Sequence, residues 1–216
     1  DGFALLGWPP ALAERVLLSL GEKRIPAAAI GSALADDGLT WTDVDRAGAI
    51  CAAVSLLSAE GRAQTALLDL DVGGSYRRQK MSAFRREMTR RYGARAGARV
   101  FSMTVPHIEE AIRVTHDALD RVPALDAFVL TDNFFADAVM LALRQRRREP
   151  GKDCRLIGLG DTILADRTRP RLTHYSLMVS DQVAFALEAL LEQIASSEGA
   201  SPRHCTFQPI LVPRDT

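Results

Sequence analysis

The chain has 216 residues, 47% of them apolar and 25% charged, with 27 basic and 27 acidic side chains that balance to zero. That apolar share suffices for one large domain or two small lobes, and a zero balance argues against the chain, taken whole, being a nucleic-acid sleeve. No apolar run reaches the roughly 18 residues of a membrane helix, no signal-peptide pattern opens the chain, and three scattered cysteines (Cys51, Cys154, Cys205) read as reduced thiols.

The chain opens on "FALLGWPP", a strand pattern leaving directly from Asp1-Gly2, so the sequence is expected to begin within a domain. Further strands are expected at 27–30, 65–70, 100–103, 127–131 and 155–158. Helical periods lie near 11–22, 47–60, 76–92, 107–120, 134–147 and 179–196. Within 134–147, Ala136, Val139, Met140 and Leu143 recur at the three-to-four spacing of one buried face. Strands alternating with helices of this length predict βαβ units and a mainly parallel sheet with helices on both faces. The stretches "SALADDGLTW" and "ADRTRPRLT" read as irregular and as candidates to carry the chain between lobes.

Open parallel sheets bind ligands beyond the carboxyl ends of their strands, where helix N-termini offer free N–H groups. Four junctions fit that rule: "GWPP" at 7–10, "DVGGSYRRQK" at 71–80, "LTDNFF" at 130–135 and "GLGDT" at 158–162. At the third, one of Asp132 and Asn133 can cap the helix while the other faces the crevice. Gly73-Gly74 with Arg77, Arg78 and Lys80 could cradle an anion, but the GxxxxGK[ST] pattern is lacking. A glycine turn followed by solvated arginines is the better reading. The four histidines lack the spacing of a triad or a zinc site. The arginine-rich stretches "FRREMTRRYGARAGAR" and "RQRRREPGK" fall toward helix C-termini, where cations favour the dipole, and read as solvated faces. Trp8, between a strand and Pro9-Pro10, suits either core packing or an aromatic wall for a ligand.

Taken in order, these junctions resemble the effector-binding domain of the lactose repressor (LacI/GalR) family of transcription regulators. "DGFALLGWP" is similar to the family's DG-plus-apolar strand and "IPAAAIG" to its second strand. "DVDRAGAICAAVSLLSAEGR" resembles the segment ending in Gly-His, with Arg62 in place of the histidine. "YRRQKMSAF", "LDAFVLTDNFFADAVMLAL", "RLIGLGDTILADRTRPRLTHYSL" and the closing "LVPRDT" resemble the later family segments. The resemblance implies an α/β, periplasmic-binding-protein-like fold: two lobes of parallel sheet flanked by helices, crossed three times by the chain, with a small molecule in the cleft. On that template residues 1–42 and 174–198 form the first lobe, and residues 43–173 and 199–216 the second. The first strand–helix–strand of the first lobe and a helix-turn-helix headpiece would precede Asp1.

The pocket implied by the resemblance departs from the family pattern. The arginine that commonly grips sugar hydroxyls falls on Lys80, which keeps the charge and loses the planar fork. The Asn-Asp pair is reversed as Asp132-Asn133, the first acid of the Gly-Phe-Asp-Asp turn is Gly160 with Asp161 retained, and Gly31 replaces an acid found in some members. Lys80 and Asp132 are then the expected charged contacts, with Trp8, Tyr76 and Met103 as walls. A ligand bearing an acidic group, or both an acid and an amine, would complement them, and a salt bridge between Lys80 and Asp132 across a vestigial pocket is the competing reading. The function implied is a cytoplasmic regulator, without cofactor or catalytic group, that senses a small molecule as a homodimer and reaches operator DNA through a separate headpiece. The alternative is the solute-binding protein of a transporter.

Overall fold

A computed structural model describes residues 1–36, 38–71, 74–160, 162–196 and 201–216. In chain order the elements begin with β1 (Phe3–Leu6), α1 (Pro10–Glu22), β2 (Ala27–Ile30), β3 (Thr40–Val44), α2 (Arg46–Ala59) and β4 (Thr65–Leu70). Next come α3 (Gly74–Tyr92), α4 (Ala94–Gly97), β5 (Val100–Met103), α5 (Ile108–Arg121), β6 (Ala127–Leu130), a 3₁₀ turn (Asn133–Phe135) and α6 (Ala136–Gln145). The last are β7 (Arg155–Leu159), α7 (Thr162–Arg167), β8 (Thr173–Ser176), α8 (Val179–Ala195), β9 (His204–Phe207) and β10 (Ile210–Val212). They form two compact units, Asp1–Asp45 with Met178–Gln208, and Arg46–Leu177 with Pro209–Thr216.

In the first unit β1, β2, β3 and β9 lie in that order, all parallel. The strand period of two sends Ala29 to one face with Leu5, Ala13 and Leu17, and Ala28 and Ile30 to the other with Ala186 of α8. Pro10 starts α1 at a position whose N–H has no helical partner to lose. Expectation and structure differ at β3, within and beyond "SALADDGLTW". Thr40, Thr42 and Asp43 are buried there, so a buried strand carries a polar sequence. The Asp43 carboxylate is satisfied locally, accepting from the N–H of Val44 (2.8 Å) and of Ala33 (3.2 Å).

The second unit is a six-stranded sheet in the order β10-β8-β7-β6-β4-β5, parallel throughout except for β10. Alternation again sorts the strands: Leu67, Val129 and Ile157 meet α2 and α3, while Leu68, Phe128, Leu130 and Leu156 meet α5 and α6. The stretch "ADRTRPRLT" does not link the units; it contains part of α7 and the start of β8 and lies wholly in the second. The chain changes unit after Asp45, Leu177 and Gln208. Residues 199–216, placed together in one lobe by the template, are therefore divided. His204–Phe207 pairs with Trp41–Val44 in the first sheet, and only the segment from Pro209 joins the second.

Helix α3 is held on α2 by more than apolar contact. Arg91 donates to Ser55 Oγ (2.9 Å) and Ser58 Oγ (3.3 Å), and Tyr92 Oη donates to Ser58 Oγ (2.6 Å). The buried Glu87 accepts from Arg90 and Arg91, each at 2.7 Å. The hydrogen bond from Arg90, with that from Arg91, overcomes the opposing effect of burial and brings the Glu87 carboxyl from an ordinary 4.5 down to about 2. A depressed carboxylate stabilises the fold above its unfolded pKa and loses that contribution as pH falls toward the folded value. Glu87→Gln should therefore cost about 1–2 kcal/mol at pH 7. In urea melts at several pH values, the gap to the parent should narrow between about pH 4.5 and 2.

Candidate functional site

The carboxyl end of β4 in the second unit holds Asp69, a carboxylate with 0% exposure inside the apolar run "TALLDL". Its register puts it on the same sheet face as Leu67, beneath the first turns of α3. Arg77 and Lys80, three residues apart on that helix, both reach it. Lys80 Nζ lies 3.2 Å from Oδ1, Arg77 Nε donates to Oδ2 at 3.1 Å, and Thr131 Oγ1 donates to Oδ1 at 2.9 Å. Arg77 also meets Asp71 Oδ1 at 3.1 Å and donates to Ser102 Oγ at 3.0 Å. Strand ends of β4, β5 and β6 thus converge with α3 on one cluster of two carboxylates and two cations, balanced in charge.

Several sequence expectations change here. Lys80 is at the strand ends as expected, but its partner is Asp69 and not Asp132. Arg77 is not a solvated arginine; its side chain is 22% exposed and bonded on three sides. Met103 is fully buried in the core shared with α5 and is no pocket wall. Tyr76 is half-buried, with the Arg46 guanidinium 4.7 Å above its ring. Val72, Gly73 and Asp161 lie outside the described residues. Trp8 belongs to the first unit, where it is 38% exposed and its carbonyl accepts from Ser32 Oγ.

The Asp132-Asn133 pair divides its work within the fold. Asp132 is the exposed N-cap of the 3₁₀ turn, accepting from Phe134 N–H at 2.9 Å. Asn133 is 3% exposed and packs over Gly158 and Gly160 of the neighbouring β7 end, instead of facing a crevice. A Cβ at Gly158 would overlap Asn133 Oδ1 and lie 2.7 Å from Leu172 Cδ2; one at Gly160 would lie 3.1 Å from the Asn133 amide. Gly160, at φ +147°, adopts a backbone that side chains disfavour and donates its N–H to Tyr175 O at 3.1 Å. Gly160 is therefore accounted for by close packing before any ligand is considered.

Sequence reading missed Asp69, Asp71, Ser102 and Thr131. The available signal was an acid inside an apolar strand, followed by two cations on one helical face. Among the described residues no group of three or more His, Cys, Asp or Glu side chains could hold a metal ion.

A family model described as the periplasmic binding protein-like domain matches residues 55–216, three quarters of the chain. The chain belongs to the periplasmic binding protein-like domain family. Among curated proteins no relative matches. Among solved structures, a regulatory protein of LacI family from Chloroflexus aggregans is 21% identical at TM-score 0.82, covering 100% of this chain and 76% of its own. The transcriptional regulator CelR in complex with cellobiose is 17% identical at TM-score 0.78, and this chain spans 65% of its length. A LacI family transcriptional regulator from Enterococcus faecium with bound ribose is 12% identical at TM-score 0.82, covering 98% of this chain and 78% of its own. The periplasmic binding protein-like fold gives these likenesses their common basis, and in it the strand ends around Asp69 are the edge suited to ligands.

Two substitutions check the geometry. Asp69→Ala leaves Lys80 and Arg77 without their buried partner and should lower unfolding stability by about 3–5 kcal/mol. Gly158→Ala should cost about 1–3 kcal/mol by displacing Asn133. Denaturant melts with fixed slope would read both.

Proposed function

We propose that this chain is the effector-binding and dimerisation part of a LacI-type transcription regulator. In this reading a small polyhydroxylated molecule is sensed at the strand ends around Asp69, and operator DNA is reached through a headpiece outside these 216 residues. The observation that carries the ligand class is the internal charge balance of the cluster. Lys80 and Arg77 are already neutralised by Asp69 and Asp71, so an anionic ligand would have to displace a carboxylate. A neutral polyol can instead trade hydrogen bonds with Asp71, Ser102 and Tyr76 without breaking the buried pair. The bound cellobiose and ribose of the two similar structures support this class over the acidic ligand expected from Lys80 and Asp132. No helix among the described residues is long and apolar enough to cross a membrane. A regulator of this kind would work in the cytoplasm, as a binding module and not as a catalyst.

Dimerisation has its own support in the second unit. Phe134 and Leu141, seven residues apart on the 3₁₀ turn and α6, are 46% and 44% exposed, and Ile163 and Leu164 on α7 are 70% and 43% exposed. Helix α7 packs beside the 3₁₀ turn, and in this reading a second copy covers these exposed apolar side chains.

A thermal-shift panel of pentoses, hexoses, disaccharides and sugar acids tests the ligand class, because a native-state ligand raises the melting temperature by mass action. Neutral sugars should give the shift, and Ser102→Ala, which leaves the Asp69–Lys80 pair in place, should reduce it several-fold while changing the unliganded melting point little. Shifts confined to acidic ligands would overturn the charge-balance argument. In sedimentation runs, Leu141→Asp with Ile163→Asp should convert a dimer to a monomer; an unchanged dimer would remove this face from consideration.

A further inference from the structure

Beyond the end of α6, at the amino edge of β7 and therefore at the opposite edge of the sheet from Asp69, the chain builds a second concave site. Arg147 leaves the helix in the left-handed region at φ +57°, and a tight turn follows in which Asp153 accepts from Glu149 N–H at 2.8 Å. Gly151, at φ +86°, donates to Cys154 O at 2.8 Å and closes that turn. Against it lies the loop at Arg169-Pro170. Together they line an open groove of about 760 Å³, a volume within the range of small-molecule sites.

Its lining holds five cations, Arg144, Arg147, Arg148, Lys152 and Arg169, against three carboxylates. Asp215, one of the three, is engaged by Arg171 at 3.0 Å, and Asp153 is used by the turn. Lys152 meets Glu149 at 3.3 Å in an open pair, 77% and 65% exposed, of a kind that contributes little. The guanidiniums are oriented by neutral acceptors. Arg148 donates to Leu125 O and Asp153 O, Arg144 to Arg169 O, and Arg169 to Thr168 O (2.7 Å) and Asp166 O (2.9 Å). Arg147 has no carboxylate partner among the described residues. Carbonyls fix the direction of a guanidinium without cancelling its charge. The negative end of α6 accounts for cations in its last turn, but Lys152 and Arg169 come from other segments.

We propose that this groove binds a compact phosphate-bearing small molecule, with a diphosphate group as the minimal ligand. Planar forks approaching from two segments, with the Lys152 ammonium from a third, match tetrahedral oxygens, and an anion carrying several charges satisfies more than one of these cations at once. The site uses none of the residues around Asp69 and does not depend on the effector reading.

Titration calorimetry of the full chain with inorganic pyrophosphate at constant ionic strength is the test. One molecule should bind per chain, at least tenfold more weakly in Arg147→Gln with Arg169→Gln and several-fold more weakly in Lys152→Gln. The last change touches an exposed side chain, so its effect cannot come from unfolding. Arg78→Gln with Arg85→Gln and Arg86→Gln, on the exposed face of α3, should leave the affinity unchanged, as should Lys80→Gln. Tighter binding of nucleoside diphosphates would add a base to the ligand, and equal binding would leave the phosphate groups as the whole of it; either supports the site. Absence of binding at millimolar pyrophosphate, or equal weakening by the α3 variants, would overturn it.

Discussion

A carboxylate without exposed surface at the end of a central strand is tolerable only when its charge and lone pairs are fully met. Asp69 satisfies this through Lys80, Arg77 and Thr131, which belong to α3 and to the connection after β6. The requirement therefore fixes more than one side chain. It sets where α3 starts relative to β4, and it ties the end of β6 to the end of β4. Removing one partner would leave a buried charge, so the arrangement is maintained as a set.

A second constraint acts beside it without charge. Asn133 occupies the volume that side chains at 158 and 160 would need, which draws the end of β7 against the turn after β6. The glycines serve close approach, and Asp132 serves the turn through its cap. With these positions committed to the fold, the side chains that the proposed reading assigns to a ligand are the less buried Asp71 and Ser102, which share Arg77, and Tyr76, which lies under Arg46. On that reading, recognition would rest on a layer above a charge-balanced base.

Much of the second unit was legible in the sequence because its strands are apolar and its helices amphipathic. Leu67, Phe128 and Val129 announce their burial, and helix α5 alternates as a two-faced helix must. The first unit was less legible. β3 hides behind Thr40, Thr42 and Asp43, whose polar atoms are buried, so composition suggested a loop. β9 could not be assigned to a sheet from its own four residues, because its pairing with β3 joins positions more than 160 residues apart. At the strand ends, the family resemblance led to Lys80 and Asp132 as the charged contacts, whereas the structure pairs Lys80 with Asp69. Lys80 looked free because Asp69 reads as one polar residue in an apolar strand, and spacing along a chain does not reveal which carboxylate a lysine reaches across a sheet.

The pairing of Lys80 with Asp69 has a physical consequence for what this edge could bind. A free lysine at the strand ends would select anions by Coulomb attraction, whatever their shape. A lysine already paired in a buried cluster offers only its remaining donors, in directions fixed by Asp69, and selects by hydrogen-bond geometry instead. Geometry of that kind discriminates among hydroxyl arrangements, because a misplaced hydroxyl leaves a buried donor or acceptor unpaired at a cost of about 1–3 kcal/mol. A ligand can shift a conformational equilibrium only through such differences in affinity between states. On the proposed reading, the balanced cluster suits discrimination among neutral sugars, and the cations that line the groove at the opposite edge of the sheet lie away from Asp69.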